Sequence, residues 1–273
     1  MGVVTGLSLV VRSTLFNLAF YLWAAVMNIA FLPTLAGPRA AVVRGQAWWA
    51  AGNVKLLAWL AGIGLEVRGR EHMPKGAAIV ASKHQSVFET FVYHMLLDDP
   101  AIVLKKELLA IPLYGWYTRK TDMVPVDRTG GAAALREMLR AAQAAADRGR
   151  PILIFPEGTR AAPGTRPPYQ PGVAALYGRL GLPAVPVALN SGHFWPRRRF
   201  LRHPGTIVVE FLEPIPPGLD RRRFMALLRE RIDEATARLE AEAEGGRTGP
   251  APLVENNPSD AGDIGDKSPE SLN

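Results

Sequence analysis

The stretch AAIVASKHQSVFE, residues 77–89, contains the pattern on which the fold prediction rests. Its short apolar run, residues 77–81, is typical of a buried strand, and a helical pattern follows over residues 88–97. Similar strands and helices alternate from about residue 63 to residue 244. The other predicted strands are 65–68, 101–104, 123–126, 152–155, 185–189 and 207–212, and the other predicted helices are 111–120, 132–146, 172–180 and about 224–239. Such alternation predicts an α/β fold with a mostly parallel sheet flanked by helices.

Polar residues follow two of these strands. His84 and Glu89 come after the strand at 77–81, and the segment FPEGTR, residues 155–160, ends the strand at 152–155. The carboxyl ends of parallel strands are where α/β proteins place ligands and catalytic groups. We therefore expect both groups in one site, suited to activating a hydroxyl beside a bound phosphate.

His84 is the candidate general base, because imidazole titrates near neutral pH. Glu89 has two possible roles. In one, its carboxylate accepts a hydrogen bond from the Nδ1–H of His84 and so fixes the tautomer and the orientation of the ring. In the other, it completes a capping box with Ser86 at the start of the helix. The residues alone leave both roles open.

The segment 155–160 offers groups for an anionic ligand. Gly158 allows the backbone to turn and to approach a ligand closely. Arg160 presents a planar fork that matches phosphate oxygens. Glu157 is expected either to accept from a substrate hydroxyl or to brace Arg160. A tight turn with a solvent-facing ion pair is the structural alternative.

The motifs taken together resemble the glycerolipid acyltransferases, specifically the 1-acylglycerol-3-phosphate acyltransferase family. That family has a His-x4-Asp motif, a block ending in arginine, a Phe-Pro-Glu-Gly-Thr-Arg motif and a Val-Pro-Val-like block. The corresponding segments here are 84–89, 115–128, 155–160 and 184–190. One departure is that Glu89 stands where the family has aspartate, which lengthens the side chain by about 1.5 Å.

The resemblance implies transfer of a fatty acyl group to the sn-2 hydroxyl of 1-acyl-glycerol 3-phosphate, which forms phosphatidic acid. The implied donor is acyl-CoA or acyl carrier protein, with no further cofactor. The resemblance also implies substrate-binding roles for the residues of the second and third blocks, namely Arg128, Glu157, Gly158, Thr159 and Arg160. A surface arginine beside Asp127 is the alternative for Arg128. Lys105, at another strand end, is either a further phosphate ligand or a solvated lysine.

Two alternative functions remain open at this point. Related enzymes acylate other lyso-lipids, including lyso-ornithine lipid, and the motifs do not separate these acceptors. A membrane-tethered basic lipid-binding protein that lost its activity through Glu89 is the non-enzyme alternative.

Composition narrows the chemistry. The chain has 273 residues, a formal net charge of +7 and no cysteine. A basic balance favours membrane lipid, phosphorylated substrates or nucleic acid as partners. The absence of cysteine excludes thiol catalysis. The sequence also lacks the His-x3-His pair that would indicate a zinc site. No glycine-rich nucleotide loop is present either.

An apolar N-terminus predicts a membrane anchor. Residues 13–38 carry no charge, and about 20 apolar residues span a bilayer. A second apolar stretch, residues 45–65, has Lys55 at its middle, which favours a helix lying at the interface. Arg39 and Arg44 predict the cytoplasmic face of the cell inner membrane. The predicted divisions are a membrane-associated helical segment at 1–62, the α/β acyltransferase domain at 63–244 and a disordered acidic tail at 245–273.

The segment HFWPRRRFLRH, residues 193–203, interleaves aromatic residues with cations. It is suited to a membrane surface, to a solvated loop or to nucleic acid. The apolar N-terminus favours the membrane contact, so we expect lipid and no nucleic acid as the partner.

Overall fold

Seven strands form one sheet in the computed structural model, which describes residues 2–246, with side chains for residues 6–245. The strands are β1 Ile63–Arg68, β2 Ile79–Ser82, β3 Ala101–Lys105, β4 Val124–Val126, β5 Ile152–Ile154, β6 Ala184–Leu189 and β7 Gly205–Phe211. Their order in the sheet is β1-β7-β6-β2-β5-β3-β4. All neighbours are parallel except β6 and β7. The predicted mostly parallel sheet is confirmed.

Helices cover both faces of this sheet. They are α1 Gly2–Ala30, α2 Arg39–Leu56, α3 Glu89–Leu96, α4 Tyr114–Lys120, α5 Gly131–Ala146, α6 Pro171–Leu180, α7 Ser191–Phe194 and α8 Arg221–Gly246. Side chains alternate along each strand, so Val80 packs with α1, α2 and α3 while Ile79 packs with α5, α6 and α8. The continuous apolar runs of the central strands follow from this cover on both faces.

The N-terminal helices are part of the main core. Phe16 of α1 and Ala50 of α2 are fully buried in one cluster with Val80 of the sheet. A turn ends at Gly62 in the left-handed conformation, and β1 follows at once. The division between an anchor segment and an α/β domain at residue 62 stays a prediction. Residues 247–273 of the predicted tail lie outside the described part of the chain.

The opposite side of α1 is apolar and exposed. Residues Gly6–Ala30 are long and apolar enough to cross a membrane by length and composition. Among the side chains that the structure describes, the large exposed apolar ones lie on α1, on and just after α2, in and just before α4, and at one position after α7. They are Leu7, Val10, Val11, Leu15, Leu18, Tyr21, Leu22, Val26, Ile29, Trp48, Trp59, Ile111, Tyr114, Trp116 and Phe200. The members on α1 recur every three to four residues, and we call them the apolar face.

Candidate active site

A histidine and a carboxylate meet at the turn between β2 and α3. The Nδ1 of His84 lies 2.9 Å from Oε2 of Glu89. The Glu89 side chain is fully buried and that of His84 is 12% exposed. The imidazole stacks on Phe155, with ring centroids 4.1 Å apart. Because Nδ1–H donates to the carboxylate, Nε2 keeps a lone pair with which to take a proton from a ligand.

Glu89 also closes the turn itself. Its Oε2 accepts from the backbone N–H of Ser86 at 2.7 Å and of Gln85 at 3.2 Å. Its Oε1 accepts from the hydroxyl of Ser191. The Ser86 hydroxyl accepts from the N–H of Phe88 at 3.3 Å and not from that of Glu89. The capping box is therefore only half formed, through the bond from the Ser86 N–H to Glu89. Both contacts proposed for Glu89 from the sequence therefore exist together, because one carboxylate accepts four hydrogen bonds.

The two sequence motifs are joined through Glu157. This carboxylate forms a buried ion pair with Lys83, and its Oε2 accepts from the backbone N–H of His84 at 3.3 Å. The N–H of Ala161 donates to the carbonyl of His84 at 2.8 Å. Burial raises the pKa of Glu157, and the contact with Lys83 opposes that rise. The motifs come together because β2 and β5 are parallel neighbours, so their carboxyl ends are adjacent.

The sequence predicted that Glu157 accepts from a substrate hydroxyl or braces Arg160. In the structure it instead contacts Lys83 and the backbone N–H of His84. Gly158 has the expected left-handed backbone, with φ +66°. A Cβ there would lie 3.0 Å from Cγ of Gln170, so a larger residue would strain the backbone and require Gln170 to shift. Thr159 beyond it is exposed.

Arg160 lies next to this turn and has no ion-pair partner among the described side chains. Burial is the main reason why the pKa of its guanidinium is below its usual value, and the nearby charges of Arg197 and Arg198 lower it further. Glu89 opposes this shift. A partly buried guanidinium among like charges is suited to bind an anion.

Lys105 and Arg128 lie on the same edge of the sheet but farther from the base. Their strands, β3 and β4, are two and three positions from β2. With strands about 4.8 Å apart, this places them roughly 10 and 14 Å along the edge. Lys105 pairs with Glu107 at 2.9 Å, and Arg128 is exposed. The structure does not bring them to His84, and their substrate-binding roles stay predictions.

Comparison with known proteins shows to which family the chain belongs. The family model described as Acyltransferase matches residues 64–190. A 1-acyl-sn-glycerol-3-phosphate acyltransferase from Pseudomonas aeruginosa is 37% identical over 161 residues, 59% of this chain and 63% of that protein. The human 1-acyl-sn-glycerol-3-phosphate acyltransferase alpha is 30% identical over 212 residues, 74% of this chain and 72% of that protein. The chain belongs to the 1-acyl-sn-glycerol-3-phosphate acyltransferase family.

A solved structure of another protein has the same fold. The 1-acyl-sn-glycerophosphate acyltransferase PlsC from Thermotoga maritima superposes with a TM-score of 0.70 at 23% identity, over 84% of this chain and 98% of that one. At this identity the likeness shows the fold alone. The chain spans about three fifths of the length of the Pseudomonas aeruginosa and Limnanthes alba relatives that it matches.

The sequence-based prediction did not include three residues that lie at this site. Lys83 directly precedes His84, and Ser191 follows β6, which neighbours β2. A polar residue after a buried strand was a signal for both. Arg197 belongs to the aromatic and basic segment 193–203, which divides in the structure. Phe194, Trp195 and Arg202 are buried, whereas residues 197–200 form an exposed turn.

Proposed function

We propose that this chain transfers a fatty acyl group from an acyl thioester to the sn-2 hydroxyl of 1-acyl-glycerol 3-phosphate and forms phosphatidic acid. The observation that carries the proposal is the His84–Glu89 pair, with a free Nε2, beside the unpaired Arg160. The printed names of the Pseudomonas aeruginosa and human relatives support it. The donor is acyl-CoA or acyl carrier protein.

His84 acts as the general base in this mechanism. Its Nε2 takes the proton of the hydroxyl while that oxygen attacks the thioester carbon. The new C–O bond forms, the C–S bond breaks, and the imidazolium returns its proton to the departing thiolate. Glu89 stabilises the imidazolium through Nδ1–H. The transfer is direct, and no acyl-enzyme is required.

Arg160 favours a phosphate-bearing acceptor. Its guanidinium binds the phosphate of lysophosphatidate, and this distinguishes the acceptor from lyso-ornithine lipid, which has no phosphate. The glutamate in place of aspartate does not separate the catalytic pair, since Nδ1 and Oε2 are 2.9 Å apart. This distance argues against the alternative in which Glu89 abolishes activity.

The membrane anchor is α1, which we place along the membrane surface. In its second quarter, Nε of Arg12 donates to the carbonyl of Leu60 at 3.1 Å. Near its end, the carbonyl of Asn28 accepts from the hydroxyl of Tyr117 at 2.6 Å. A helix that contacts the rest of the protein at both residue 12 and residue 28 cannot also cross a bilayer away from it. The apolar face then enters the cytoplasmic leaflet of the inner membrane.

Labelled acyl donor and lysophosphatidate, separated by thin-layer chromatography, test the reaction. General-base assistance contributes about 10²–10⁴-fold, so His84→Ala is expected to lower turnover at least a hundredfold with membrane binding intact. His72→Ala is the matched control, because His72 lies outside the site beside Glu71. Near-normal turnover in His84→Ala would remove the base. Wild-type protein that acylates lyso-ornithine lipid and not lysophosphatidate would exclude the proposed acceptor.

A further inference from the structure

The exposed turn after α7 carries three consecutive arginines, Arg197–Arg199. Arg198 has a left-handed backbone, with φ +57°, and the N–H of Arg199 donates to the carbonyl of Pro196 at 3.4 Å. Within the described residues, none of these three forms an ion pair. The turn is therefore a group of cations without counter-charge.

Arg197 reaches the active-site loop. Its Nη1 donates to the carbonyl of Arg160 at 3.1 Å and lies 3.5 Å from the hydroxyl of Thr159. Five N–H donors are available on a guanidinium, so several remain for a ligand. The positive charge of Arg197 also contributes to the lowered pKa of Arg160. The two positive charges repel each other, and an anion bound between them would offset the repulsion.

The turn is fixed to the N-terminal helix rather than free. The N–H of Arg202 donates to the hydroxyl of Ser13 at 2.9 Å, and its Nη2 donates to Oδ1 of Asn17 at 2.7 Å. Asn17 also donates to the carbonyl of Phe200 at 3.2 Å. The guanidinium of Arg202 lies over the ring of Trp195, 4.8 Å from its centroid. The membrane-facing helix thus sets the position of the arginine turn.

We propose that Arg197 is a second phosphate ligand, which binds the acceptor phosphate together with Arg160 at the level of the lipid headgroups. This inference rests on the proposed function. Neither sequence motif contains Arg197; the contact with the Arg160 carbonyl is what assigns it to the site. Phe200 and Arg202, which follow the turn, attach it to α1, and this aligns the phosphate site with the leaflet from which the acceptor enters.

The chemistry of the two substrates favours the acceptor over the donor as the ligand. In lysophosphatidate the phosphorus is four covalent bonds from the reacting hydroxyl oxygen, a span of at most about 5 Å. The phosphate must therefore bind beside His84, and the loop that carries Arg160 is hydrogen-bonded to the His84 backbone. In acyl-CoA or acyl carrier protein the long pantetheine arm separates the thioester from the nearest phosphate.

Steady-state kinetics of Arg197→Ala test the proposal. A hydrogen bond to a charged group contributes enough to change affinity about 10- to 100-fold. We expect the KM for lysophosphatidate to rise by that factor, while the KM for the acyl donor stays within about twofold of wild type. Arg197→Lys keeps the charge and loses the fork, so its KM is expected between the two. Arg199→Ala, which removes the same charge from the same turn, is the matched control and should resemble wild type.

Three outcomes overturn the proposal. An unchanged KM in Arg197→Ala means that Arg197 does not bind the acceptor. A rise confined to the donor assigns the site to the donor phosphate. An equal rise in Arg199→Ala shows that the turn acts only through its general attraction to an anionic membrane. If wild-type protein does not acylate lysophosphatidate at all, it is the proposed function that fails, and the two failures are thereby distinguished.

Discussion

Replacing Glu89 by glutamine separates the two contacts that its carboxylate makes. Three donors converge on Oε2, namely Nδ1–H of His84 and the N–H groups of Gln85 and Ser86. The amide oxygen of a glutamine therefore takes that position. Its NH2 group then faces the hydroxyl of Ser191, which rotates to accept. The turn and the histidine tautomer are kept, and only the negative charge is lost.

The loss of the negative charge determines how far kcat falls in Glu89→Gln. The imidazolium of the transition state and the carboxylate share a 2.9 Å hydrogen bond. Two unit charges about 4 Å apart interact by about 4 kcal/mol at an effective dielectric constant near 20. Every 1.4 kcal/mol corresponds to roughly a tenfold change in rate. We expect Glu89→Gln to lower kcat about a thousandfold, with little change in the KM of either substrate.

Initial rates with labelled donor and melting temperatures are measured together. Glu89→Gln is expected to melt close to wild type, because its hydrogen bonds are retained. Glu89→Asp withdraws the carboxylate by about 1.5 Å and is expected to lose about two hydrogen bonds, each worth about 1 kcal/mol. Its melting temperature should fall by roughly 4–8 °C, with partial activity. Glu71→Gln, on an exposed glutamate, is the control.

One result would refute this reasoning. Full turnover in Glu89→Gln, at an unchanged melting temperature, would show that the carboxylate only closes the turn before α3. The charge of Glu89 would then contribute nothing to the reaction.

Further variants test the remaining contacts. Arg160→Lys keeps the charge but loses the fork, so the KM for lysophosphatidate should rise about tenfold. Arg179→Lys is the control. A rise only in the KM for the donor, or the same rise in Arg179→Lys, would contradict this. Ser191→Ala removes one hydrogen bond to Glu89, and we expect kcat to fall about tenfold. An unchanged kcat would show that Ser191 does not support the reaction through Glu89. Leu18→Glu with Leu22→Glu places two charges on the apolar face and should release the protein from vesicles in flotation, unlike the equally charged pair Ala132→Glu and Ala133→Glu; equal membrane binding of the two pairs would argue against the anchor.

The elements of the fold follow from local patterns, but several of their ends do not. The helix expected at residues 111–120 begins only at Tyr114, because Leu113 has a left-handed backbone. In the N-terminal helix, the charge of Arg12 is accommodated by a hydrogen bond to the carbonyl of Leu60. A single internal hydrogen bond of this kind is invisible in hydropathy. Element type depends on periodicity, whereas element ends depend on such contacts.

The candidate site divides in the same way. The meeting of His84 with residues 155–160 was predictable, because both follow strands of a parallel sheet. Which strands are neighbours was not. The order β6-β2-β5 brings Ser191 to Glu89 and pairs Lys83 with Glu157. The same order leaves Arg128 just after the far edge strand, β4.

The sequence by itself determined the chemistry available to this protein: an imidazole, a carboxylate five residues later, an arginine after a glycine turn, and an apolar N-terminus. These are short-range features, and each is contained in a few consecutive residues. The tertiary structure is needed to show which cation lies beside Arg160: Arg197 is 37 residues away and contacts the Arg160 carbonyl, and the turn that carries it is attached to α1 through Arg202. Side chains distant along the chain become neighbours through strand order and helix packing, which no local pattern encodes.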